Sequence, residues 1–494
     1  MPAVPITVNI SANGTRAVLP VSNGTLVMGT CSSGTDTQLV SVGSTSALVS
    51  EFGTGPLVQL GAQYLSIAKA PIYCMRINDS VAATMSAVTY ARVGASTGTV
   101  ANNASVPNDA YNVIIESLST GLTGTYTYRY SLDGGVTYSG TLVSAATITL
   151  GSSGINLTLA DGVGPLGLSD GDLVSFTTTA PGYGPSDLNV CLTAFQNSSV
   201  RVRRIHPATT SVTSSGLYTA IRSALNTLET AYKYTMVILE SDDRGAGPEA
   251  ISTWQSGVLT DFATEDDRVQ VIAGWCETAM VLPIGNDVLQ LRRPLAWTIG
   301  PRQASVDVSE DAGAVVDGAI QNLVLSPVSV DAPTGFDLDG RLYTGFEGRG
   351  ITTGQTYLGR SGIYCGGAFM RVQSTNDFYR VAHRQVMDVA CETLYDVLLD
   401  YINTNVGTNG DGTILEQEAK AIESRLNAAI EAILVKVSPQ RISPSSTGSY
   451  AQVDRTNIIT TTEQLLVTVG LTSRPFIGSI TLNIGYVLSI PVAA

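Results

Sequence analysis

The chain reads LYTAIRSALNTLETAY at 217–232, YTMVILE at 234–240, EAISTWQSGVLTDFAT at 249–264 and RVQVIAGW at 268–275. The first and third stretches have apolar residues at the three- and four-residue spacing of an amphipathic helix, and the other two are short apolar runs typical of buried strands. An alternating order of helices and strands favours parallel pairing, with helices on the faces of the sheet. This region therefore predicts an α/β core.

The same pattern occurs near the start of the chain. The sequence predicts a helix from about Ser44 to Phe52, a second from Leu57 to Ala68 after a Gly-Pro break, and a strand from Ile72 to Ile77. We therefore predict one α/β middle domain built from residues 21–80 and 201–360.

Residues 81–200 interrupt this pattern with a Thr-, Ser- and Gly-rich composition and frequent turn signals. In TYTYRYSLDGGVTYSG (125–140), Tyr126, Tyr128 and Tyr130 share one face of a strand, and Asp133-Gly134-Gly135 suits a hairpin turn with positive φ. The segment predicts an inserted all-β domain, either a sandwich or a barrel.

Two amphipathic helices are predicted towards the C-terminus. The first runs from about Thr375 to Asn403, and the second opens with a capping box from Thr413 to Glu416. Strands are predicted over 458–471 and 477–490. We assign residues 361–494 to a C-terminal α+β domain and residues 1–20 to an N-terminal arm, so that the whole chain is a multi-domain α+β protein.

Alternating apolar residues at both ends of the chain indicate strands that can pair with another subunit. The predicted inter-subunit arms contain Val4, Ile6, Val8, Ile10, Leu465, Val467, Val469 and Leu471. The predicted host strand for such an arm contains Ile480, Leu482, Ile484 and Leu488. An isolated two-stranded pair is marginal in water, so the N-terminal arm needs a host sheet.

Composition argues against several classes of function. The net charge of −14, from 41 acidic and 27 basic residues, opposes binding to nucleic acid. The basic group Arg201, Arg203 and Arg204 is interpreted as a solvated strand edge.

No apolar run approaches the roughly 20 residues that span a bilayer, so no direct membrane insertion is expected. The six cysteines form no CxxC pair and are expected to be reduced and mostly buried, without zinc.

Catalytic signals are weak. The two histidines, His206 and His383, are interpreted as structural. Glu240, Asp242 and Asp243 are grouped at the end of a predicted parallel strand, where a hard cation could find oxygen ligands, but without a partner motif we interpret them as solvated acidic residues of a loop. No nucleophile, phosphate-binding or metalloprotease motif is present. We predict no enzyme, cofactor or resident metal.

Several segments together resemble contractile phage tail sheath proteins. The segments are SALVSEFGTGP (46–56), YRYSLDGGVTYSG (128–140), NDFYRVAHRQVMDVACETLYDVLLDYI (376–402) and the closing order of helices and alternating strands. The resemblance implies stacked hexameric rings around a tail tube, contacts with baseplate and tail terminator proteins, and a place in the virion tail. Arg380 and Arg384, on the predicted outer face of the long helix, are candidates for contact with the tube.

Two other functions remain open from the sequence. A β-rich adhesin or glycan-binding surface protein would share the Thr-, Ser- and Gly-rich composition, although it should carry a secretion signal. An α/β enzyme would use Glu240, Asp242 and Asp243 with a divalent metal.

Overall fold

A computed structural model describes residues 24–163, 167–209, 215–243, 250–282, 288–324, 340, 344–346 and 348–477. The chain divides into two compact units, Met1–Tyr395 and Asp396–Ala494. The division lies further along the chain than the predicted domain limit at residue 361, because the helix that follows position 380 packs mainly within the first unit.

The described part of the first unit begins with two strands, two helices and a third strand. They are β1 (Thr25–Gly29), β2 (Leu39–Val42), α1 (Thr45–Phe52), α2 (Pro56–Ala68) and β3 (Ile72–Arg76). The Ser44 side chain caps α1 by accepting a hydrogen bond from the Ala47 N–H at 3.2 Å, and Pro56 occupies the first turn of α2. The helices and strand predicted between 44 and 77 are confirmed.

The next eight strands form two antiparallel sheets. They are β4 (Thr89–Ala91), β5 (Thr99–Asn102), β6 (Asn112–Ser117), β7 (Thr127–Ser131), β8 (Leu142–Val143), β9 (Thr147–Thr149), β10 (Asn156–Ala160) and β11 (Leu173–Thr177). The sheet orders are β4-β11-β6-β7-β8 and β5-β10-β9, and both sheets contribute to one apolar core. Tyr126 and Tyr128 lie in this core, and Gly134 and Gly135 adopt φ values of 73° and 93° in the predicted turn.

Helices and strands then alternate to the end of the first unit. They are α3 (Pro185–Asn197), β12 (Arg204–Pro207), α4 (Ser215–Thr230), β13 (Met236–Glu240), α5 (Ile251–Asp261), β14 (Val269–Ile272), β15 (Trp275–Ala279), β16 (Gln290–Pro294), α6 (Ala296–Ser305), β17 (Ile351–Thr352), β18 (Gly354–Gln355), β19 (Tyr364–Cys365) and α7 (Val381–Leu398).

A seven-stranded sheet with the order β17-β14-β13-β12-β1-β3-β2 organises this unit. Its neighbouring strands are parallel, except that β2 runs antiparallel to β3. Val237 and Leu239 of β13 pack against the face covered by α3, α4 and α5, whereas Met236 and Ile238 pack with α6 on the opposite face. Burial on both faces explains why β13 is a continuous apolar run. The α/β core is confirmed.

The two antiparallel sheets are joined closely to this core. Helix α3, which falls inside the predicted insertion 81–200, buries Leu188 and Phe195 against the seven-stranded sheet. Conversely, Leu289 and Leu291, beside and within β16, lie in the core of the two antiparallel sheets. The strands of the insertion end at Thr177, before the predicted limit at residue 200.

The second unit is smaller and contains short strands. Its elements are α8 (Glu416–Ile430), β20 (Ile442–Ser443), β21 (Ala451–Val453), α9 (Ile459–Thr462), β22 (Val467–Val469) and β23 (Thr472–Ser473). Strand β20 pairs with β23, and β21 pairs with β22, both antiparallel.

Two local predictions for this region are wrong. Helix α8 begins at Glu416 with Leu415 as its N-cap, so Thr413 lies two residues before the cap and cannot form the predicted capping box; its hydroxyl donates to Asp411 Oδ1 at 2.7 Å instead. The strand predicted over 458–471 is confined to Val467–Val469, and a helical turn occupies Ile459–Thr462. Within the described ranges, no helix combines the length and the apolar character that crossing a membrane requires.

Candidate assembly surface

Helix α8 covers one face of the β21–β22 pair. Ala419, Ile422 and Leu426 are at most 1% exposed along the apolar stripe of the helix. On β21, Ala451 and Val453 are 2% and 0% exposed. This contact places β21 at the centre of a small apolar core.

Side chains of α8 also accept hydrogen bonds from backbone N–H groups along the outer edge of β21. The N–H groups of Tyr450 and Ala451 both donate to Asn427 Oδ1 at 2.9 Å. One turn earlier on the helix, Glu423 Oε1 accepts from the Val453 N–H at 2.7 Å. These amide groups therefore already have partners inside the unit.

Arg455 holds Glu423 in place. Its guanidinium donates to both oxygens of the Glu423 carboxylate, at 3.0 Å for Oε2, and also contacts Glu416 at 2.8 Å. The hydrogen bond from Arg455 is the main cause that lowers the pKa of Glu423. At neutral pH this side chain is an ionised acceptor for the edge of β21.

The outward backbone N–H groups of β22 are not hydrogen-bonded in the way that those of β21 are. The Asp454 N–H donates to the Leu466 carbonyl and the Gly470 N–H to the Tyr450 carbonyl, each at 2.9 Å. Because antiparallel ladders alternate, the backbone groups of Val467 and Val469 point away from β21. Within the described residues, these two N–H groups have no hydrogen-bond partner.

The side chains along this segment alternate in exposure. Leu465, Val467, Val469 and Leu471 are all half-buried, and the residues between them are exposed. Val467 lies opposite Val453, and Val469 lies opposite Ala451. The half-buried residues therefore extend the apolar face of β21 to a strand that is only partly covered.

The other predicted strand residues lie outside the described part of the chain. This applies to Val4, Ile6, Val8 and Ile10 of the N-terminal arm, and to Ile480, Leu482, Ile484 and Leu488 of the host strand.

The two arginines predicted to face a tube occupy different environments. Arg384 is 6% exposed and forms ion pairs with Asp388 at 2.6 Å and Asp267 at 3.1 Å. The prediction that Arg384 lies on an outer face is therefore wrong, because the buried Asp388 and the partly exposed Asp267 hold its guanidinium inside the first unit. Arg380 is half-buried and pairs with Asp311 at 2.6 Å.

Two members of the basic group, Arg203 and Arg204 at the start of β12, are also buried rather than solvated, whereas Arg201 is half-buried. Arg203 and Arg204 are both 0% exposed, and Arg203 pairs with Glu392 of α7 at 2.8 Å. The strand lies in the middle of the seven-stranded sheet, so its charged side chains must find partners inside the unit.

Two of the three acidic residues considered for metal binding, Glu240 and Asp243, are engaged by protein groups. Glu240 is 1% exposed and accepts hydrogen bonds from Trp297 Nε1 at 2.7 Å and from the Thr209 N–H at 3.0 Å. His206 Nε2 lies 3.2 Å from the same carboxylate. Asp243 pairs with Arg292 at 2.6 Å. Over the described ranges, no three His, Cys, Asp or Glu residues are grouped as metal ligands.

Sequence reasoning missed Glu423 and Asn427. They are four residues apart and so share one face of α8, next to the apolar stripe that contains Ile422 and Leu426. That spacing was visible in the sequence, but the strand edge that they contact was not.

Comparison with known proteins extends these observations. The family model described as DUF2586, N-terminal domain, matches residues 6–368. No curated protein is similar enough in sequence to be recognised as a relative.

Several solved structures are similar to this chain at low sequence identity. The sheath of an extracellular contractile injection system, the PVC sheath complex in its contracted state, is 11% identical, with a TM-score of 0.52 and 99% of each chain covered. The sheath tail protein from Desulfitobacterium hafniense is 12% identical, with a TM-score of 0.47 over 91% of this chain and 93% of that chain. The sheath tail protein from Listeria innocua is also 12% identical, with a TM-score of 0.47 over 92% of each chain.

The PVC similarity shows a mixed α/β fold of the kind found in contractile sheaths. Because the family model covers well over half of the sequence, the chain belongs to the DUF2586 family.

Proposed function

We propose that the chain is the structural subunit of a contractile tail sheath. It polymerises around an inner tail tube as stacked hexameric rings and contracts to drive the tube through a cell envelope. The observation that carries this proposal is a fold shared with the PVC sheath over 99% of both chains. Assembly takes place in the host cytoplasm, and the tube, baseplate and terminator proteins are its partners.

The subunit performs this function without catalysis. Glu240 is fully enclosed by donors from its own unit, and the Asp243 carboxylate is paired with Arg292. These contacts favour a structural role over the metal-dependent enzyme considered from the sequence. The energy for contraction is stored during assembly, as exchange of subunit contacts between two arrangements.

Strand addition links one subunit to the next. The N-terminal arm, with Val4, Ile6, Val8 and Ile10, pairs with a sheet of a different subunit. The segment Leu465–Leu471 was predicted to pair with a different subunit, and part of it pairs with β21 of its own chain. Among the described residues its second edge has no strand partner, which supports a role for this segment as a host rather than as an arm.

The remaining regions have separate roles in this proposal. The second unit, Asp396–Ala494, forms the C-terminal assembly domain that the sequence predicted over 361–494, and the predicted insertion 81–200 lies on the outside of the sheath. Arg380 remains a candidate contact with the tube.

Electron microscopy and sedimentation velocity test the proposal. We expect the full chain to form rings or tubes, and removal of residues 1–12 to leave a folded protein that sediments only as small species. A matched pair of variants separates the two faces of the arm: serine at Val4, Ile6, Val8 and Ile10 should abolish assembly, whereas serine at Thr7 and Asn9 should not. Normal tubes from the truncated chain would contradict arm exchange, and a monodisperse full-length monomer in the presence of tube protein would contradict the sheath function.

A further inference from the structure

The C-terminal end of α3 surrounds a buried ammonium group with oxygen atoms. Lys233 Nζ donates to the carbonyl oxygens of Phe195 and Ser198 at 2.5 Å and 2.7 Å. It also donates to the Val200 carbonyl at 3.0 Å and to Ser198 Oγ at 3.1 Å. We infer that these four oxygens form a binding site for a monovalent cation, and that the chain fills this site with its own lysine.

The charge of Lys233 is held by neutral groups. The side chain is only 8% exposed, and among the described residues no carboxylate pairs with it. An ammonium has three protons, so four acceptors exceed the number of hydrogen bonds that it can direct. The oxygens therefore converge on a charge rather than on separate N–H bonds, which is the arrangement that carbonyl oxygens adopt around a dehydrated monovalent cation.

The local sequence builds this site at a helix end. Carbonyl groups in the last turn of a helix have no intrahelical partner, and the helix dipole makes this end favourable for a cation. The Ser198 hydroxyl donates to the Phe195 carbonyl at 2.7 Å, so its lone pairs are left for the ammonium and for the Val200 N–H at 3.3 Å. Ser198 therefore acts as an oriented acceptor.

An aromatic ring closes the site on one side. Lys233 Nζ lies 4.3 Å from the centroid of the Phe195 ring, and Phe195 is 0% exposed within the core of the seven-stranded sheet. The ring and the oxygens together suit an ion of the size and single charge of ammonium, such as ammonium itself or potassium. A divalent cation would lack the carboxylates that normally balance its charge.

The site also positions contacts of α7. Arg201, just after the carbonyl of Val200, places its guanidinium carbon 5.6 Å from the centroid of the Tyr395 ring. Tyr232, which precedes Lys233, stacks on the same ring at 4.5 Å and has a φ of 59°, a value that large side chains rarely adopt. Lys233 is thus a positioning residue that links the ends of α3, α4 and α7.

Two variants of the full chain test this inference by hydrogen exchange at constant ionic strength. Lys233→Ala leaves room for an ion, whereas Lys233→Met removes the charge but fills the space of the stem. In choline chloride, the Ser198 and Val200 amides of both variants should exchange about tenfold faster than in the wild type, or more. Ammonium or potassium chloride should return only Lys233→Ala to within about threefold of the wild type, with a saturable dependence on concentration.

The wild type and Lys436→Ala are the controls. The side chain of Lys436 is 73% exposed, so neither protein should distinguish ammonium, potassium and choline. The inference would be overturned if Lys233→Ala exchanged equally in all three salts, or if the methionine variant recovered as well as the alanine variant. It would also be overturned if Lys233→Ala failed to fold in ammonium chloride, because a filled site should restore the end of α3.

Discussion

The inserted β-sheets and the β21–β22 pair are both small antiparallel structures, but they complete their cores differently. In the insertion, two sheets face each other, and Val113, Leu157 and Val174 are all 0% exposed. In the second unit, α8 covers the apolar face of β21, while Val467 and Val469 remain half-buried. A sheet that is complete within the chain contributes to folding, whereas one that is incomplete by a strand can also contribute to assembly.

The largest effect is expected at the junction of the insertion. Arg293 and Asp109 form an ion pair at 2.8 Å in which both side chains are at most 2% exposed, and burial raises the pKa of Asp109. Arg293→Met should lower the free energy of unfolding by about 3–5 kcal/mol at neutral pH, because the carboxylate loses its buried partner. Urea denaturation followed by circular dichroism measures this change.

The neighbouring residue provides the control for that variant. Arg292 pairs with Asp243 in a contact where the two side chains are 32% and 27% exposed. Arg292→Met should cost at most about 1 kcal/mol. If Arg293→Met lowers the free energy of unfolding no more than Arg292→Met does, the buried Arg293–Asp109 pair does not hold the insertion in place.

The core beneath the β21–β22 pair is the second test. Leu426 is 0% exposed on α8, so Leu426→Ala should cost about 2–5 kcal/mol through the cavity that it leaves. Hydrogen exchange should show the loss across α8 and β21. The exposed Ser424→Ala on the same helix should leave exchange unchanged, and protection that survives in Leu426→Ala would contradict the packing of α8 on this pair.

A smaller effect is expected at the outer edge of β21, which the acceptors on α8 close. Asn427→Ala removes the acceptor of the Tyr450 and Ala451 N–H groups, which should cost about 1–3 kcal/mol. Asn427→Asp keeps an acceptor oxygen and should lose much less stability. Equal stability of the alanine variant and the wild type in urea denaturation would argue that the edge is not closed by this side chain.

The closed edge should also depend on pH. The folded pKa of Glu423 is lowered, chiefly by the hydrogen bond from Arg455, so its contribution is present above the unfolded pKa of a glutamate. As the pH falls through the lowered folded pKa, that contribution should disappear and the protection factor of the Val453 amide, its intrinsic exchange rate divided by its observed rate, should decrease. Glu423→Gln should remove this dependence, and an identical pH profile in the variant would reject the role of Glu423.

The smallest change in stability is expected at the outer edge of β22, which is open because its outward N–H groups have no partner within the described residues. Val469→Thr alters a half-buried side chain and should change the free energy of unfolding by no more than about 0.5 kcal/mol. The same variant should reduce assembly, measured by sedimentation, because it weakens the apolar face offered to an added strand. Thr468→Val, on the exposed face, should not reduce assembly; a reduction only in Thr468→Val would assign the contact to the opposite face.

Local patterns predicted many elements because short-range apolar spacing directly reflects which face of a helix or strand is buried. Helices α1 and α2, strand β3 and the tyrosine row of β7 are examples. The capping box predicted at Thr413 is wrong because the helix starts two residues later than that box requires, with Leu415 as its N-cap. The buried state of Arg203 depends on Glu392, which is 189 positions away, and no local pattern reveals such a partner.

The sequence by itself determined that residues 465–471 alternate and that their apolar side chains share one face, because a strand has a period of two. It also determined the alternation of residues 4–10 in the N-terminal arm. Only the tertiary structure decided which strand edge is closed and which is open. That choice depends on where α8 packs, because Glu423 and Asn427 satisfy the backbone of β21, and no side chain in the described part of the chain does so for β22.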